Sequence, residues 1–164
     1  MFFNNEIPNL MQLLSLRPSA RARMRGNEFY NRINGDIWFY ELNNGVVVLS
    51  NISGLPTSSD PCKQPIFALH IHEGGSCTGN LQDNFANART HYNPNNCSHP
   101  YHAGDLPPLF GANGRALSAV LTDRVSISEI IGKTIIIHSS PDNFTTQPAG
   151  NSGTKIACGV ITEL

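Results

Sequence analysis

Charge is scarce in this chain. Only 14% of its 164 residues are Asp, Glu, Lys or Arg, and the formal net charge is −1. The basic excess that would favour nucleic acid is missing, and so is an acidic tail. Long hydrophobic runs are missing as well: no apolar stretch approaches the roughly 20 residues of a membrane-spanning helix. Helical periods are few, whereas 14 Gly and 11 Pro suit short strands joined by turns. The opening run, Met1 to Pro8, has neither the positive segment nor the long apolar core of a signal peptide, so cytoplasm is the default expectation and the compartment stays open. What remains is room for one domain with a sizeable core.

Alternation then dominates the chain. Ala20, Ala22 and Met24 interleave with Arg21, Arg23 and Arg25, predicting a strand with one apolar and one solvated cationic face. Gly35 to Leu42 and Val46 to Ile52 flank Asn43-Asn44-Gly45, a hairpin signal. Phe67 to His72, Arg115 to Leu121 (after the Asn113-Gly114 turn), Thr134 to His138 and Lys155 to Ile161 read as further strands. The prediction is an all-β domain over residues 19–164, with about eight short strands in a barrel or sandwich. Two long loops separate them, Glu73–Leu109 and Ser139–Thr154, and loops of that length are usually functional. Residues 1–18 form an N-terminal arm. Leu10, Leu13 and Leu14 have helical spacing inside the bracket of Pro8 and Pro18; the arm packs on the barrel or on a partner, or is a tail.

All six histidines fall near these loops: His70, His72, His91, His99, His102 and His138. His70 and His72 project to the same side of one strand, leaving Ile71 to face the core. His138 ends another strand, so a distant segment can add a third nitrogen. All-nitrogen sites with an open position suit redox copper. His91, His99, His102 and Asp105 lie in a stretch rich in Asn, Pro and Gly, where three imidazoles and a carboxylate make a closed, four-ligand zinc site.

His70-Ile71-His72-Glu73, His91-Tyr92-Asn93-Pro94, His102-Ala103-Gly104-Asp105-Leu106, the run from Ile131 to His138 and Ala157-Cys158-Gly159 occur in an order that resembles the copper/zinc superoxide dismutases, especially their bacterial branch. The resemblance runs from about residue 20 to the C-terminus. It implies an eight-stranded Greek-key, immunoglobulin-like barrel whose two long loops wall a copper site. By the same resemblance His70, His72 and His138 are copper ligands, His91 bridges copper and zinc, and His99, His102 and Asp105 complete the zinc site. Asp142 reads from the residues alone as a turn residue after Pro141. The resemblance makes it the carboxylate that joins His70 to His99, a kind of outer partner that typically matters 10–100-fold.

Two departures stand out. Only two residues separate His99 from His102, a short stretch that puts the reach of His99 in question. Where the family usually carries an arginine shortly before Ala-Cys-Gly, this chain has Lys155, which keeps the charge but not the planar fork of donors. Lys155 is thus expected to draw superoxide toward copper, an electrostatic effect of which this family is itself an example.

Four cysteines fit two disulfides. The resemblance pairs Cys77 with Cys158. Arithmetic leaves Cys62 and Cys97 to pair with each other; two reduced thiols, or Cys97 replacing His99 on zinc, are the alternatives. The activity implied is dismutation of superoxide to dioxygen and hydrogen peroxide, with no nucleic-acid or membrane partner. A non-enzymatic copper/zinc-binding or structural protein on the same fold is the competing reading. A homodimer is compatible with the family, but no motif marks an interface.

Overall fold

The computed structural model describes residues 8–164, so the first seven residues of the expected arm lie outside it. The rest of the arm is a short helix, α1 (Leu10–Ser15). Asn9 opens it with a capping box: its side chain accepts from Gln12 N–H while the Gln12 side chain accepts from Asn9 N–H. Leu13 is buried with Tyr40, Val47 and Leu49, so this part of the arm packs on the domain itself.

Eight strands follow: β1 (Ala20–Gly26), β2 (Asn34–Leu42), β3 (Gly45–Ser53), β4 (Ile66–His72), β5 (Asp105–Phe110), β6 (Arg115–Thr122), β7 (Thr134–His138) and β8 (Lys155–Glu163). All pairings are antiparallel, in the order β5-β4-β7-β8-β1-β2-β3-β6. The non-consecutive neighbours β4–β7 and β3–β6 make the connections cross between strands in Greek-key fashion. Outer strands β5 and β6 approach each other and nearly close the barrel. The one-turn helix α2 (Ile127–Ile130) leads into β7.

The strand β5 is a correction to the expected loop Glu73–Leu109, which ends at Gly104 instead. Leu106-Pro107-Pro108-Leu109 looks unlike a strand because proline gives no ladder donor. An end strand of the sheet tolerates it, since only one side is bonded.

Side-chain alternation explains where the site sits. On β4, Phe67, Leu69 and Ile71 enter the main core; on β7, Ile135 and Ile137 do the same. His70, His72 and His138 therefore face outward, away from the barrel interior. Yet all of them are buried, because the segment after β4 folds back over that outer face. Phe85 and Ala88 from this segment pack with Ile136 and Cys158, and the Cys77–Cys158 disulfide ties it to β8.

Cys62 and Cys97 do not pair; both are exposed free thiols. Each is held by its own turn: Asp60 Oδ1 accepts from Cys62 N–H, and Asn93 Oδ1 accepts from Cys97 N–H. These local bonds fix the two backbones separately.

Candidate metal centre

Register sets the centre. Pairing of β4 with β7 matches Leu69 with Ile137 and His70 with Ile136, which brings His138 alongside the two β4 histidines. His91 joins through an isolated antiparallel bridge to His72. The result is two clusters sharing one residue. His70, His72, His91 and His138 offer ligand atoms within 4.8 Å of one another, and so do His91, His99, His102 and Asp105.

Hydrogen bonds fix which nitrogen is free on His70, His72 and His99. His72 Nδ1–H donates to the Arg89 carbonyl at 2.9 Å, leaving Nε2 to face His138 Nε2 at 3.2 Å. His70 Nε2–H donates to Asp142 Oδ2, and His99 Nε2–H to Asp142 Oδ1, both at 2.9 Å. The Nδ1 atoms of His70 and His99, and Nε2 of His91, are then buried without a hydrogen-bond partner. His99 Nδ1 does lie 3.0 Å from Asp105 Oδ2. There, however, an unprotonated nitrogen faces a carboxylate oxygen, an acceptor against an acceptor. Unpartnered buried polar atoms are costly, and lone pairs that converge on one point are what a cation satisfies. The donors present thus fit two metal ions.

Electrostatics agree. Burial, with the neighbouring His91 and His138 rings, pushes His70 down to about 2. Burial and His91 lower His138 to about 4, and burial and His138 carry His72 well below its ordinary value. These rings stay neutral at physiological pH, as ligands must. Burial works against the Asp105 carboxylate, but the hydrogen bond from His91 and the surrounding imidazoles outweigh it and hold Asp105 below its usual value.

The short His99–His102 stretch reaches after all, and three residues absent from the motif reading explain how. Gln147 clamps His99 on both sides, accepting from its N–H at 3.0 Å and donating to its carbonyl at 2.7 Å. Arg124 donates to the carbonyls of Pro100 and His102. Gly150, at φ +67°, leaves room that a Cβ would take from Asp142 Oδ1 and His99 Nε2. No sequence spacing announces these contacts, since they join distant segments mostly through backbone groups.

A cavity of about 1100 Å³ is lined by His72, His91, His138 and His102, but not by His70, His99 or Asp105. It opens mainly on the all-imidazole cluster, and of the second cluster it reaches only His102 and the shared His91. Lys155 lines it too, though its ammonium is taken up by Asp83 Oδ2 at 2.7 Å and by the Phe85 carbonyl. Burial would raise the Asp83 carboxylate, but bonds from Lys155 and Phe85 N–H prevail and hold it below its ordinary value. The cation expected to draw superoxide is half of an ion pair.

Fold and site together define a protein built for two metal ions on a nearly closed antiparallel barrel. Residues 33–161 match the family described as copper/zinc superoxide dismutase (SODC). A copper–zinc superoxide dismutase of Aquifex aeolicus (strain VF5) is 34% identical over 157 residues, covering 87% of this chain and 85% of that one. Its counterpart in Photobacterium leiognathi is 40% identical over 107 residues, or 57% of this chain and 62% of that one. The solved structure of Cu/Zn superoxide dismutase from Brucella abortus superposes with a TM-score of 0.71 at 26% identity, covering 86% of this chain and 98% of that one. The chain belongs to the copper/zinc superoxide dismutase family.

Proposed function

We propose that this chain is a working superoxide dismutase, with copper held by His70, His72, His91 and His138 and zinc by His91, His99, His102 and Asp105. The observation that carries the reading is His91: its Nε2 is buried and unpartnered on one side, and its Nδ1 lies in the other cluster, 2.8 Å from Asp105 Oδ1. One ring is thereby placed to serve both ions. Copper supplies one-electron redox chemistry that turns two superoxide anions and two protons into dioxygen and hydrogen peroxide, while zinc supplies fixed positive charge.

The chain's own residues do the rest. His70, His72 and His138 present nitrogens on an unstrained strand scaffold, with the cavity side left open for a small anion. Asp142 and the Arg89 carbonyl hold the tautomers of His70 and His72. His91 Nε2 is the unpartnered nitrogen on the copper side, where it can hold a proton and release it, while the Nδ1 side of the ring stays in the zinc-type cluster beside Asp105.

The test is superoxide decay after pulse radiolysis, using protein loaded with copper and zinc. Catalytic decay that disappears in His138→Ala supports the reading. Stoichiometric consumption without turnover, in protein shown to hold copper, rejects it.

A further inference from the structure

Three charged residues line the cavity: Asp83, Lys155 and Arg89. Asp83 and Lys155 cancel each other in a 2.7 Å ion pair. Arg89 is exposed, and among the described residues its guanidinium makes no ion pair and no hydrogen bond, although its carbonyl holds His72. The free positive charge of the cavity is therefore carried by Arg89.

Its backbone points the same way. Arg89 has φ 63° and ψ −145°, a region that glycine enters easily and side-chain-bearing residues enter only with strain. The carbonyl that orients His72 is presented in this conformation, which glycine would adopt without strain. An arginine there sits two residues before His91 and lines the cavity.

We infer that Arg89, rather than Lys155, is the residue that draws and holds the anion at the open cluster. Its guanidinium offers a planar fork of donors to a small oxyanion, which the paired Lys155 ammonium cannot do. This rests on the proposed dismutase reading, because it assumes an anion-accepting metal behind the cavity.

Arg89→Gly removes the charge while keeping the carbonyl on His72. Azide is titrated against the visible copper band of the copper- and zinc-loaded protein, and the metal-free proteins are melted in parallel. The expected result is a roughly tenfold weaker azide Kd in Arg89→Gly, with a flatter dependence on ionic strength. Its melting temperature rises, since the strain is gone. Arg89→Lys recovers part of the azide affinity. The charge-neutral double variant Asp83→Asn/Lys155→Gln changes the Kd less than about twofold, because the cavity keeps its net charge. An unchanged Kd in Arg89→Gly, with a large loss in the double variant, overturns the assignment in favour of Lys155. A wild-type protein that holds copper but whose band azide does not move overturns the dismutase reading beneath it, a result separable from an unchanged variant.

Discussion

The two clusters are built from similar donors and yet differ in access. The zinc-type cluster is the more closed: His99 and Asp105 are buried and do not line the cavity. Gln147 clamps His99, and Arg124 holds the Pro100 and His102 carbonyls, while His102 alone, besides the shared His91, reaches the cavity. The copper-type cluster is all imidazole and presents His72, His91 and His138 to a cavity of about 1100 Å³. One side is largely enclosed and the other faces the cavity. The difference arises from position in the fold, because His70, His72 and His138 of the open cluster stand on two hydrogen-bonded strands, whereas the closed one, apart from Asp105 at the start of β5, is loop-borne and has extra clamps.

That contrast can be broken most sharply at its open side. His72→Ala is expected to abolish turnover, by well over a hundredfold, while zinc binding measured by competition with a chelator stays within about tenfold of wild type. Equal loss of both metals would mean that the clusters are one unit. Asp142→Asn strikes the two together, since the carboxylate accepts from both His70 and His99. Copper and zinc affinities should each fall about 10–100-fold; loss confined to one metal would contradict the shared role.

Stability tests sharpen the same comparison. Cys77→Ser with Cys158→Ser removes the tie between the covering segment and β8, across a separation of 81 residues. Thermal or denaturant unfolding should show a loss of about 2–4 kcal/mol. Acid acts through the open cluster. His70 and His138 have folded-state values of about 2 and about 4, below the ordinary 6.5. The unfolded chain therefore takes up protons first. Stability of the metal-free protein should be full above pH 6.5 and decline as the pH falls toward 4, read as melting temperature against pH. A flat profile over that window would contradict the buried neutral rings. Smallest of all, Arg124→Ala should cost about 1 kcal/mol and loosen zinc more than copper, because its hydrogen bonds reach only the His99–His102 segment.

Much of this was legible in the sequence, for reasons that can be named. Strand periodicity places His70 and His72 on one side and Ile71 in the core, and the structure repeats that arrangement. The six histidines do form the two expected clusters with Asp105, and Asp142 joins His70 to His99. β5 was hidden by Pro107 and Pro108, which read as loop. Even cysteine number suggested a second bridge, but parity carries no distance, and Cys62 and Cys97 stay apart as thiols. Gln147 and Arg124 act on backbone groups 22 to 48 residues away, which no local motif encodes. Lys155 was recognisable as a cation; its neutralising partner Asp83, 72 residues distant, was not.

The Asp142 crossbar has a thermodynamic consequence. Its two oxygens are committed to rings in different clusters, and its Oδ1 also accepts from Phe144 N–H. Neither ring can be reoriented without disturbing the other. An ion that orders one cluster thereby lowers the entropic cost of ordering the second, so loading of two metals is expected to be positively cooperative. By linkage the favour is mutual: whatever factor zinc adds to copper affinity, copper must add to zinc affinity.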